Sequence, residues 1–385
     1  MANTLIRRLL AGAIAVLTAT LIALPAPACP FCSMTGQTLT DDVNQASMVL
    51  YGTLKNPRLN ANDGAGATDL EIESIVKKHE ILGDKKVITL PRYVPTDNNK
   101  VKFLIFCDVF KGKVDPYKGV PMKSDDIVKY LSGAIALKGK APGERLRFFF
   151  DWLDNSDIEI SNDAYKEFGN ASYGDYKDMA KTLPPEKVVK WLNDPNTPTF
   201  RFGLYASILG HCGKPEHADV LKKMLDDPQK RVSTGVDGIL AGYTLLKPKE
   251  GWEYITGILG DPKKEFMLRY AALRSIRFFW DSRPDVIDKK KLLEGACLLL
   301  DQSDIADLAI EDLRKWKQKE VLGRVLALND KSSHNIPIVR RAILRYALSF
   351  QDQPPAAAFV KAARAKDNEW VKDVEELLKL EPTTK

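Results

Sequence analysis

The chain has 385 residues, 28% of them charged and 44% hydrophobic, and a formal net charge of +6. Lysine, arginine, aspartate and glutamate are interspersed along it, so no concentrated basic face marks it for nucleic acid. The length exceeds one typical domain and calls for two or more folding units.

The first 28 residues divide into three parts. "MANTLIRR" carries Arg7 and Arg8, "LLAGAIAVLTATLIAL" is uncharged and mainly apolar, and "PAPA" ends in Ala26-Pro27-Ala28. A basic start, an apolar core and a small-x-small site predict a secretory signal peptide over 1–28. The apolar run is short for a span of about 20 residues, and the helix-breaking "LPAPA" follows it directly. Cleavage after Ala28 leaves an exported chain, periplasmic or extracellular, that begins at Cys29 and has no transmembrane segment. Removing the two arginines lowers its charge to +4. All five cysteines, Cys29, Cys32, Cys107, Cys212 and Cys297, lie in this portion. An oxidising compartment permits disulfides, and an odd count leaves one thiol free or paired elsewhere.

From Ser47 to Val109 the pattern is that of strands. "MVLYGTL" (48–54), "DLEIESIV" (69–76), "KVITLPRYV" (86–94) and "VKFLIFCDVF" (101–110) are rich in β-branched and aromatic residues and alternate in part. "SDDIVKYLSGAIAL" reads as a helix with Ser124 as its N-cap and Asp125 and Asp126 in the first turn. Four or five strands and a helix within 29–142 predict a small closed β-barrel. An N-terminal Cys, the short helical "TLTDDVNQAS", then "MVLYGTL", "EIESIVKK" and "KFLIFCDV" resemble, in order and spacing, netrin-like domains. These are OB-type barrels found in tissue inhibitors of metalloproteinases and in complement proteins. The resemblance implies that the N-terminal cysteines are disulfide-bonded into the barrel, although the chain has CxxC where that family has CxC.

Past Pro142-Gly143 the period changes to that of paired helices. "FRFGLYASILGHCGKPEHADVLKKMLDDP" (200–228) reads as helix, turn and helix, stopped by Asp-Asp-Pro. Four similar units follow, and "IEISNDAYKEFGNASYGDYKDMAKTLPPEKVVKWLNDP" precedes it. Ala164, Ala206, Ala241, Ala272, Ala309 and Ala342 recur at spacings of 42, 35, 31, 37 and 33. One helix pair cannot bury its apolar face alone, so neighbours stack, and small residues allow close contact. "LGHCGKPEHADVLKKMLDD" and "PIVRRAILRYAL" resemble bacterial HEAT repeats, which implies an α-α superhelix (a HEAT/armadillo-type solenoid) over 143–385. "ERLRFFFDWLD" would open it and "NEWVKDVEELLKLE" would close it.

The candidate sites are few. "CPFC" lacks the histidine of a haem-attachment motif and the preceding strand of a thioredoxin site. A metal at Cys29, Cys32 and Cys107 is one reading, although zinc asks for about four ligands and His79, His211, His217 and His334 are scattered. A lipid anchor on Cys29 is disfavoured because Ala26-Pro27-Ala28 lacks the leucine of a lipoprotein signal. The favoured reading is a disulfide from Cys29 or Cys32 to Cys107, closing a loop that restricts the unfolded chain. In the metalloproteinase-inhibitor analogy, Cys29 would chelate a target's zinc through its amine and carbonyl. His211, Cys212 and His217 in "HCGKPEH" read as repeat-turn residues, and Cys297 as a buried apolar one. Arg201, Arg269, Arg274, Arg277, Arg314, Arg340, Arg341 and Arg345 recur on equivalent helices, with Asp163, Asp237, Asp307 and Asp312 among them. They form either a charged groove for an acidic partner or an internal ladder that fixes stacking. No catalytic or cofactor motif is evident. The expectation is an exported, non-enzymatic protein-interaction scaffold without a cofactor. A metal-binding or thiol-redox envelope protein working through Cys29 and Cys32 is the alternative, and a metalloprotease inhibitor a minor one.

Overall fold

A computed structural model describes residues 29–59, 65–96, 101–228 and 235–381. The signal-peptide expectation falls on residues 1–28 and lies outside them. The architecture is α+β: one five-stranded antiparallel sheet and seventeen helices among the described residues.

The strands are β1 (Met48–Leu59), β2 (Gly66–Lys77), β3 (Val87–Leu90), β4 (Lys102–Phe110) and β5 (Lys113–Met122), in the order β3-β2-β1-β4-β5. No ladder joins β3 to β5 among the described residues, so the sheet is open where a closed barrel was expected. The edges account for this. β3 has only four residues, and β5 carries Pro116 and Pro121, which cannot donate to a further ladder. A two-residue turn at Lys111 and Gly112, both with positive φ, joins β4 to β5 as a tight hairpin.

Both faces of the sheet are buried, and the two-residue period sorts the side chains. Met48, Leu50 and Leu54 of β1 join Leu70, Ile88, Leu90, Ile105 and Cys107 in one small core. Val49 and Tyr51 of β1, with Leu104 and Phe106 of β4, point the other way, into a core shared with the helices.

Helix α1 (Leu39–Gln45) precedes the sheet and begins with a capping box between Thr38 and Asp41. Helix α2 (Asp126–Ala136) follows it, with Asp125 rather than Ser124 at the N-cap. The Asp125 carboxylate is drawn to the Tyr51 hydroxyl (2.7 Å) and Lys102 Nζ (2.9 Å), and Ser124 Oγ accepts from the Asp126 N–H (3.1 Å). Next come α3 (Pro142–Phe150), α4 (Ile158–Asn170), α5 (Tyr173–Ala180) and α6 (Pro185–Asn193). The segment expected as one helix pair thus forms three helices, because a Ser172–Asp175 capping box starts α5 just after α4 ends.

Then follow α7 (Phe202–Cys212), α8 (Ala218–Asp226), α9 (Val236–Leu246), α10 (Pro248–Leu259), α11 (Phe266–Ser282) and α12 (Lys289–Cys297). The last are α13 (Ala306–Lys315), α14 (Leu322–Ala327), α15 (Pro337–Ser349), α16 (Pro354–Lys366) and α17 (Asn368–Lys379). Alternate helices pack on one another: α5 on α7, α7 on α9 and α9 on α11, then α13 on α15 and α15 on α17. A second layer pairs α6 with α8, α10 with α12, and α14 with α16. The six recurring alanines sit on α4, α7, α9, α11, α13 and α15 and are all buried. The tightest contact is α7 on α9, where a Cβ on Gly238 would fall inside van der Waals distance of the Gly203 backbone. One continuous core runs from Cys29 and Phe31 through the sheet's second face to Val374, across the expected boundary at residue 142.

Candidate functional site

Cys29 and Cys32 are bonded to each other, with Cα atoms 5.4 Å apart. The expected bridge to Cys107 does not form. Strand alternation turns Cys107 into the small sheet core, whereas Cys29 lies in the core shared with the helices. Burial, reinforced by the charges of Asp108 and Asp115, pushes the Cys107 thiol up to about 12, far from thiolate chemistry. The same separation prevents Cys29, Cys32 and Cys107 from converging on one metal. Among the described residues no group of three His, Cys, Asp or Glu side chains is placed to hold an ion. Because the Cys29 sulfur is in the disulfide, it is not available to carry a lipid.

The loop closed by this bond is docked. The Cys29 N–H donates to Gly169 O (3.2 Å) at the end of α4, and the Cys32 N–H returns to Cys29 O (3.3 Å). The two atoms that the inhibitor analogy needs free are therefore engaged, and Cys29 is only 4% exposed. The Ser33 N–H donates to the Tyr165 hydroxyl (3.2 Å), and Asn170 exchanges two hydrogen bonds with the Gly36 backbone (2.8 and 2.9 Å). Met34 O and Phe31 O lie against Gly169 and Gly203, whose missing side chains let this segment approach α4 and α7. Residues 29–36 thus run over α4, α7 and α11 as a bound peptide would.

Phe31 anchors the segment. Its ring meets Phe278 of α11 edge-on, with centroids 4.7 Å apart, and Phe278 meets Tyr173 at 5.0 Å. The Tyr173 hydroxyl lies 3.1 Å from His211 Nε2 and accepts from Arg283 Nη1 (3.4 Å). Burial, with Arg283 and Lys181 adding to it, lowers His211 to about 4, and burial raises Tyr173. Both groups are neutral near pH 7 and neither is poised there for proton transfer. This cluster was not read from the sequence. Phe31 between two cysteines is a visible signal, but its partners lie on helices far along the chain.

The arginines mostly face neighbouring units. Buried Arg201 donates to Leu153 O (2.5 Å), Ser161 Oγ (3.0 Å) and Asn162 Oδ1 (2.8 Å) of the preceding unit. Arg274 pairs with Asp237 of α9 (2.9 Å) and also donates to Pro30 O (3.1 Å), so one rung of the stack also holds the disulfide loop. Arg277 Nε reaches Asp312 of α13 (2.7 Å), and Arg345 Nε reaches Glu311 (2.5 Å). Arg269 binds Gln302 and Asp304, and Arg314 binds Glu311 and Glu381. Asp307 is half-buried, and burial raises its pKa. Arg340 and the exposed Arg341 stand apart, at the start of α15.

Asp163 of α4 is buried and accepts from the Leu39 N–H (2.6 Å) and the Tyr130 hydroxyl (2.8 Å), tying α1 and α2 to α4. Burial lifts it to about 7, against the pull of those two donors. The remaining histidines do not assemble. His217 lies in a turn before α8 beside Glu186 (3.1 Å), His334 is buried against Leu300 O (2.8 Å), and His79 caps a short turn. Cys212 ends α7 and Cys297 ends α12.

No family model, curated protein or solved structure matches this chain.

Proposed function

We propose that the chain is an exported, non-enzymatic interaction protein in which a HEAT-type solenoid, preceded by an OB-like, netrin-like β-domain, presents its helical surface to a protein partner. The observation that carries this reading is the docked segment 29–36. Backbone hydrogen bonds, two glycine contacts and one aromatic anchor fix it across α4, α7 and α11, so the array already accommodates a turn-forming peptide segment in cis. Two further features support the repeat assignment: packing of alternate helices in two layers, and carboxylate–arginine rungs between successive units. A core drawing on β1 to β4 supports a barrel-like curvature of the sheet.

The test is site-directed photo-crosslinking of the exported protein at Lys190, Lys223 and Ala362 on the array and at Lys85 and Val87 on the sheet. A discrete partner adduct from array positions is the expected result. Adducts from the sheet alone, or robust turnover lost on mutating one pocket residue, would sink the reading.

Thiol–disulfide exchange is the second reading, favoured by the pairing of Cys29 with Cys32 and by the half-exposure of Cys32. Equilibration in thiol buffers separates the two. A potential in the range of exchange catalysts, about −120 to −270 mV, supports exchange, and one below about −300 mV marks an inert bond.

A further inference from the structure

Of the eight recurring arginines, Arg340 and Arg341 alone have neither an ion pair nor a side-chain hydrogen bond among the described residues; Arg201 lacks a carboxylate but is held by three oxygen acceptors. Both lie near the N-terminus of α15, where the helix dipole disfavours cations and favours an anion, and no acidic residue stands in that first turn. The Arg340 guanidinium lies over the Trp370 ring at 5.5 Å, a contact that orients the charge without neutralising it. A third unpaired cation, Lys366, ends α16. These groups surround an open cleft of 560 Å³, within the range of about 300–1,000 Å³ typical of ligand sites. Phe359 and Ala363, one turn apart on α16, form an apolar wall facing Trp370. The lining carboxylate, Asp367, is occupied as the N-cap of α17, accepting the Trp370 N–H (3.0 Å).

We infer that this cleft binds a short acidic peptide segment of a protein partner. Its carboxylates engage Arg340, Arg341 and Lys366, and an apolar side chain packs against Phe359 and Trp370. The assignment rests on the interaction-protein reading and gives it a site and a partner chemistry. A nucleic acid or lipid surface asks for a broad cationic field, and here exposed Asp330 and Glu369 adjoin the lining residues in the chain.

The probe is a fluorescein-labelled, end-blocked peptide of alternating glutamate and leucine, followed by anisotropy on the full processed protein. A glutamine-for-glutamate peptide is its control. Wild-type protein binds the glutamate peptide saturably, and the double variant R340Q/R341Q binds it at least about tenfold more weakly. The variant K138Q/K140Q, which removes equal charge from an exposed site elsewhere, stays within about twofold. Circular dichroism establishes that each variant is folded. The inference is overturned by any of four results: no saturable binding, equal loss in both double variants, equal binding of the glutamine peptide, or tighter binding of anionic vesicles or single-stranded oligonucleotide with the same dependence on Arg340 and Arg341. Crosslinking separates this inference from the broader reading. Partner adducts at Lys190 or Lys223 without any at Ala362 defeat the cleft alone, whereas silence at every array position defeats both.

Discussion

Arg201, Arg269, Arg274 and Arg277, and on α15 itself Arg345, each reach a partner outside their own helix, whereas Arg340 and Arg341 at the start of α15 reach none. The covering differs as well. Residues 29–36 lie over α4, α7 and α11, and the cleft beside α15 and α16 is open. The same residue type is therefore absorbed into stacking at most positions and left as surface chemistry at the start of α15. What decides is whether oxygen acceptors on neighbouring elements come within reach, carboxylates for Arg274 and Arg277 and neutral oxygens for Arg201, because a buried or half-buried guanidinium without them is costly.

The largest effect should come where the first region is tightest. Gly238→Ala places a Cβ against the Gly203 backbone, which cannot yield without parting α7 from α9. Denaturant melts should report a loss of about 3 kcal/mol or more. A neutral result would mean that the two helices are less closely packed than described.

The docked segment offers the next contrast. Phe31→Ala empties a buried aromatic site and should cost about 3 kcal/mol. Cys32→Ser opens a loop of only four residues and should cost about 2 kcal/mol at most. If the disulfide variant proved the more damaging, the bond rather than the ring would be what holds the segment.

Paired and unpaired arginines give the third contrast. Asp312→Ala strands Arg277, whose side chain is 30% exposed, and should cost about 2 kcal/mol. Arg341→Gln should stay within about 0.5 kcal/mol in the same melts. Similar costs for the two would erase the distinction between paired and unpaired arginines.

The last contrast is in pH dependence, where the two regions of buried polarity have opposite signs. His211 is lowered by burial from 6.5 to about 4. The unfolded chain takes up its proton first, so stability is lost as pH falls from about 6.5 towards 4. Asp163 is raised by burial from 3.8 to about 7. Here the folded chain holds the extra proton, so stability is lost as pH rises from about 4 towards 7. His211→Gln and Asp163→Asn should each change the slope of stability against pH by at most one proton, about 1.4 kcal/mol per pH unit, in opposite directions. Changes of the same sign would contradict the environments described for these groups.

Helix positions after residue 200 were legible because a 3.6-residue apolar stripe, Pro starts and small residues act locally. β5 was not named. Its two prolines and the Lys111-Gly112 turn lack the usual strand and hairpin signals, and only an edge position makes them tolerable. The cysteine pairing was misread for a related reason. Cys107 is one residue out of phase with Phe106, and that single step sends it to the other face of the sheet. The N-cap position falls on Asp125, whose carboxylate is drawn to Tyr51 and Lys102 of the sheet, while the Ser124 hydroxyl still accepts the Asp126 N–H in the first turn.

Sequence by itself determined the repeating helices, the buried alanines and the recurrence of arginines among acids, all of which depend on periods within or between neighbouring units. Tertiary structure alone decided which charges meet. Glu311 and Arg345 are 34 residues apart and pair across α13 and α15. Asp307 and Arg341 have the same separation in the chain, yet they form no ion pair, and Arg341 lines the open cleft. Spacing brings two residues to equivalent places in successive repeats. Whether their side chains then meet depends on how the two helices turn and pack, and a sequence period fixes neither.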